Sequence, residues 1–71
     1  MLNLSPRQKE VLALLAEGFT DDEIGARLGI SSRTARAHVD MLKHKLGVLR
    51  RREIPGAYHR LTGKDPFDPD P

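Results

Sequence analysis

An all-α fold, a small bundle of three or four helices, is predicted by three features of the 71-residue sequence. Two capping-box patterns, Ser5-x-x-Gln8 and Thr20-x-x-Glu23, each precede apolar residues at helical spacing. Gly18, Gly29 and Gly47 close three successive runs, as helix-ending glycines do. From Ser31 to Leu46 the helical periodicity continues without a break.

The first helix starts from Ser5 as N-cap, with Pro6 suited to the first helical position and Leu4 placed as one half of a hydrophobic staple. Val11, Leu12, Leu14 and Leu15 give it an apolar side, and Gly18 ends it. Phe19 follows where a Schellman motif places its closing contact, on Leu14. The second helix is capped by Thr20, with Asp21 and Asp22 at the positive end of its dipole. Ile24 and Leu28 form its inner side. Gly25 in its middle costs about 1 kcal/mol relative to Ala in an isolated helix. A short helix tolerates that cost where another backbone must come close.

Ser31 caps the third helix, which spans about 32–46. At roughly 100° per residue, Ala35, Val39, Leu42 and Leu46 fall within about 60° of one another and make one buried stripe. The opposite side gathers Arg33, Arg36, Ala37, Asp40 and His44, with Lys43 at its edge. Beyond Gly47, Val48 and Leu49 are expected to pack back on the core, followed by Arg50, Arg51 and Arg52. A short fourth helix from about Glu53 to Leu61 accommodates Pro55 in its first turn. Residues 1–61 form the domain. The tail TGKDPFDPDP, residues 62–71, is acidic and proline-rich and reads as disordered.

A chain this short lies near the lower limit for a self-sufficient core. It has no cysteine, so no disulfide can reinforce it. No repeated Cys/His pattern suggests a metal, no cofactor is expected, and the longest apolar run, VLALLA, cannot span a bilayer. A soluble, intracellular protein is the expectation. The net charge of +2 conceals a strong asymmetry. Residues 1–30 carry −2, residues 31–60 carry +6, and residues 61–71 carry −2. Such a basic block is the footprint of a nucleic-acid binder, although a solvated basic surface accounts for it equally well.

Two short helices joined by a tight glycine turn, the second with a polar outer side, describe a helix-turn-helix. Gly25 lies four residues before the turn glycine, Gly29, where the two helices cross, and Ile24, Ile30 and Ala35 hold the pair at its angle. With these residues in place, LSPRQKEVLALLAEGFTDDEIGARLGISSRTARAHVDMLKHKLGV, residues 4–48, resembles the LuxR-type (GerE-type) domain of bacterial transcription regulators. The matching elements are L-[ST]-x-R, A-x-G-x-[ST]-x-x-E-I, L-x-[IV]-S-x-[RK]-T, a later histidine and K-L-G-V, all in register.

The resemblance implies a four-helix domain whose third helix enters the major groove of double-stranded DNA. It puts Arg36, Ala37 and Asp40, with Arg33 beside them, at base-facing positions. Thr34, His38, Lys43 and Lys45 fall at positions that touch phosphate or the groove edge; Thr20, Ser31, Ser32, Arg50 and Arg51 complete the candidate phosphate set. The helical wheel gives nearly the same outer set independently. An arginine such as Arg36 can donate two hydrogen bonds to guanine, worth roughly 1–3 kcal/mol of discrimination. Ala37 is small enough to meet a thymine methyl, and the helix amino end at Ser31 and Ser32 suits a phosphate. His38 also reads as a packed histidine beside the stripe. Asp40 repels phosphate, so it is expected either to accept from cytosine or to hold Arg36, four residues earlier, in a fixed pose.

The fourth helix departs from the family pattern, because Pro55 and Gly56 occupy its first turn where relatives have helix formers. The family uses that helix to form homodimers. Here Ile54, Ala57, Tyr58 and Leu61 remain as a possible dimer surface, weakened by Pro55 and Gly56. Catalysis is not expected, and His38 and His44 lie about 120° away from a shared metal face. Two further readings stay open: a promoter reader resembling sigma-factor region 4, and an interaction module that binds RNA polymerase or another regulator without holding DNA tightly.

Overall fold

The computed structural model describes residues 2–64 and residue 66. It contains four helices, α1 (Pro6–Ala16), α2 (Asp21–Leu28), α3 (Ser32–Leu46) and α4 (Ile54–Thr62), with a single 3-10 turn at Arg51–Glu53 leading into α4. No strand occurs among the described residues.

Both capping boxes form as their sequences require. The Gln8 amide donates to Ser5 Oγ at 3.2 Å while the Ser5 amide donates to Gln8 Oε1 at 2.9 Å. Thr20 and Glu23 repeat the exchange at 3.2 and 2.9 Å. The Thr20 backbone N–H, the Thr20 side chain and, more weakly, the Arg27 charge hold the Glu23 carboxyl below its usual range. A depressed folded-state pKa stabilises above the unfolded value and is lost as pH falls through the folded one. The urea midpoint is therefore expected to fall more steeply on acidification for the parent than for Glu23→Gln, which keeps an acceptor without a titrating charge. Identical pH profiles would show that the Glu23 charge adds nothing to the stability the box provides.

Helix α1 ends in a Schellman motif: the Phe19 amide donates to the Leu14 carbonyl at 3.2 Å and the Gly18 amide to the Leu15 carbonyl at 2.9 Å. The expected staple at its start is absent, because the residue that Leu4 would meet is Lys9. Leu4 is buried in the common core instead.

That core draws on all four helices, through Val11, Leu12 and Leu15 of α1, Ile24 of α2, the stripe Ala35–Val39–Leu42–Leu46 of α3, and Ile54, Ala57 and Tyr58 of α4. No polar or charged residue is buried among the described residues. Phe19, Leu28, Ile30 and Val48 pack half-buried against its edges. Leu49, expected to join them, is 90% exposed.

Two expectations for the C-terminal third are corrected. Ile54, Ala57 and Tyr58, expected as a possible dimer surface, have their side chains in the monomer's own core, and of that set Leu61 alone, at 60%, is exposed. The spacing of these residues marks a buried stripe, and the packing of α4 on α1 and α3 consumes it. Thr62 belongs to α4 and not to a disordered tail. Its hydroxyl donates to the Tyr58 carbonyl at 2.7 Å and accepts from the Lys64 amide at 3.1 Å, with Gly63 closing the helix. Positions 65 and 67–71 of the tail lie outside the described residues.

Candidate nucleic-acid interface

The pose of α3 is set by where α2 touches it. A Cβ built on Gly25 would stand 2.6 Å from the Ile30 carbonyl oxygen and 3.2 Å from both Ser31 C and Ser32 N. The backbone entering α3 therefore rests directly on the backbone of α2. Gly29, in the left-handed region at φ 70°, makes the turn between them, and the Ile30 amide donates to the Gly25 carbonyl at 2.9 Å. Helix α3 leaves this seat from a Ser31 cap whose Oγ accepts from the Thr34 amide at 3.0 Å and donates to Thr34 Oγ1 at 2.9 Å.

With the stripe buried, Arg33, Arg36, Ala37, Asp40 and His44 all stand exposed on the opposite side, as the wheel predicts. Ser31, Ser32 and Thr34 are exposed at its amino end, Thr20 is exposed at the start of α2, and His38 is half-buried at the flank. The sequence reading missed Met41, which is 46% exposed. It stands one turn after Ala37, about 40° around the helix, and that angle was the available signal.

The structure changes the reading of three charged residues. Asp40 does not hold Arg36. Its carboxylate pairs with Lys43 Nζ at 3.3 Å, and the Lys43 stem is the more buried partner. Lys43 thus spends part of its charge cancelling Asp40. Lys45 lies nine positions, about 180°, around the helix from Arg36. Its ammonium group donates to the Asn3 carbonyl at 2.8 Å and to Gln8 Oε1 at 3.0 Å, tying the end of α3 to the start of α1.

Arg51, expected at phosphate, is engaged within the fold. Its guanidinium bonds the Asp21 carboxylate through one nitrogen and the Phe19 carbonyl, at 2.6 Å, through the other. This fork braces the 3-10 turn against the start of α2. Arg50 and Arg52 on either side remain exposed. A shallow groove beside α3 brings Arg36, Asp40, Lys43, Arg51 and Asp21 together, so both signs of charge line that flank. No group of three or more potential metal-ligating side chains occurs among the described residues.

Residues 2–55 match the family model described as bacterial regulatory proteins, luxR family. The chain is 47% identical over 49 residues to "Probable transcriptional regulatory protein SgaR" of Hyphomicrobium methylovorum, covering 69% of this chain and 23% of that protein. It is 44% identical over 45 residues to transcriptional regulatory protein MctR of Rhizobium johnstonii, covering 63% of this chain and 21% of that one. With transcriptional regulatory protein LiaR of Bacillus subtilis the identity is 38% over 58 residues, 82% of this chain and 28% of the relative. The chain thus spans between about a fifth and three-tenths of the length of these relatives. No solved structure matches it.

Proposed function

The chain belongs to the luxR family of bacterial regulatory proteins, and on that premise we propose that it is the sequence-specific DNA-binding module of a cytoplasmic, non-enzymatic transcription regulator. The observation that carries this reading is the outer side of α3: five residues, Arg33, Arg36, Ala37, Asp40 and His44, exposed together on a helix seated backbone-to-backbone on α2.

In this reading α3 lies in the major groove, Arg36 forks onto a guanine, and Ala37 with Met41 meets thymine methyls or sugars. Asp40, neutralised by Lys43, accepts from a cytosine amine without repelling the flanking phosphates. Arg33, Arg50 and Arg52 face phosphate, joined by the uncharged donors at Thr20, Ser31, Ser32 and Thr34. Lys45 and Arg51 contribute through the fold they brace. Self-association through α4 has no buried stripe left to use, so one copy occupies one half-site.

Fluorescence anisotropy with a selected site, at several salt concentrations, tests the reading. Three phosphate-facing cations predict a slope of about −3 in log K against log salt. Absence of binding at low salt would reject it in favour of a module that binds polymerase or another regulator.

A further inference from the structure

A cleft of about 550 Å³ opens where the end of α1 meets the start of α4. Leu15, Ala16, Phe19 and Pro55 line it with carbon, and Arg50 and Arg52 stand at it with Arg51 between them. Among the described residues no carboxylate lines it. Arg51 is committed to Asp21 and Phe19. Arg50 and Arg52 are exposed, and no hydrogen bond or ion pair to either side chain occurs among the described residues.

The apolar floor is pre-formed. Phe19 carries the Arg27 guanidinium 4.1 Å from its ring centroid, and its carbonyl accepts from Arg51 at 2.6 Å. Leu15 belongs to the core, and Pro55 is fixed in the first turn of α4. A surface held in this way loses little freedom on binding. Small-molecule sites have volumes of roughly 300–1,000 Å³ and mostly apolar walls, with a few polar groups that set orientation. Guanidinium groups meet a carboxylate through paired N–H donors.

We propose that the cleft binds a small amphipathic carboxylate, its apolar body on Leu15, Phe19 and Pro55 and its head group on Arg50 and Arg52. The surroundings favour a compact ligand over an acidic polypeptide. Glu17 and Glu53 are exposed, each next in sequence to a lining residue, yet neither lines the cleft; Asp22 and Glu23 are exposed at the start of α2. An acidic chain leaving the cleft meets these carboxylates, whereas a ligand contained within the rim does not.

Position gives the site a consequence for DNA, which rests on the reading proposed above; the binding of the carboxylate does not. Arg50 and Arg52 are two of the three cations assigned there to phosphate, so a carboxylate held by them competes with DNA. Arg51 walls both this cleft and the groove beside α3 that contains Arg36, so the bound anion lies next to the recognition face.

Amide NMR titration of the whole chain with naphthoate tests the binding. Naphthalenemethanol, without the charge, and acetate, without the apolar body, are the controls. Saturable shifts are expected at Ala16, Gly18, Phe19, Arg50 and Arg52, with a Kd of about 1 mM for a ligand of this size. Combining Arg50→Gln and Arg52→Gln should weaken binding about fivefold or more. Ala16→Leu, which fills the floor, should do the same while leaving shifts distant from the cleft unchanged. Non-saturating shifts spread over all the cationic residues would overturn the site, as would equal affinity for either control or for the arginine variant. In anisotropy at constant ionic strength, about 10 mM naphthoate in place of acetate should weaken DNA binding by up to about tenfold. Ala16→Leu should bind DNA as the parent does and lose that response. Equal weakening of both proteins, or of neither, would overturn the competition. The titration contains no DNA, so its failure is distinguishable from failure of the DNA-binding reading.

Discussion

Replacing Gly25 by alanine is expected to lower the stability of the domain by about 2 kcal/mol, although alanine is the better helix former by about 1 kcal/mol. The added carbon would lie 2.6 Å from a carbonyl oxygen and 3.2 Å from two further backbone atoms, none of which can rotate away. The strands of chain at the crossing must separate, which moves α3 relative to α2. A core of this size supplies roughly 3–5 kcal/mol in total, so Gly25→Val, with its branched side chain, is expected to leave the domain unfolded. Gly56 provides the control. Its added carbon would meet only Arg60 Nη1, at 3.6 Å, an ordinary contact with a flexible side chain. Gly56→Ala should therefore stabilise, by up to about 1 kcal/mol. Urea unfolding of the three variants checks these signs. A Gly25→Ala midpoint equal to or above that of the parent would remove the close approach as the determinant of the helix pair.

The second large effect concerns binding. Arg36→Ala is expected to lose about 1–3 kcal/mol of discrimination at one base pair, a 5- to 150-fold change in preference. Arg36→Lys keeps the charge but not the planar fork, so it should retain affinity for unrelated DNA while relaxing that position almost as much. Selection of bound sites from random sequence, carried out for the parent and both variants, measures the effect directly. Uniform weakening across all sequences, with the base preference intact, would assign Arg36 to phosphate and leave the reading frame to Ala37, Asp40 and Met41.

What the amino-acid sequence makes legible follows from the range over which residues act. Ser5 with Gln8, Thr20 with Glu23, and Leu14 with Phe19 are neighbours along the chain, and each pair adopts the expected geometry. The stripe of α3 was legible because helical geometry fixes angles within a single element. Partners across the fold were not. Arg51 reads as one of three equivalent arginines until the packing brings Asp21 and the Phe19 carbonyl within its reach. Lys45 reads as a phosphate contact until Asn3 and Gln8, 42 and 37 residues away, are found beside it. Ile54, Ala57 and Tyr58 announced a face that needs burial, but the pattern does not say whether the cover is another copy or α1 and α3.

The Arg51 fork has a topological consequence. It joins positions 21 and 51, 30 residues apart, so α2, the turn and α3 form one loop pinned at its base. A loop of that kind is insensitive to its own length, since each doubling adds only about 0.6 kcal/mol to the entropy of closure. Extra residues between Gly47 and Arg50 should therefore cost little while the pin holds. Local opening is another matter: the start of α2 cannot fray into solvent without releasing the approach to α4, so amides at both ends of the loop should exchange with solvent in a single step.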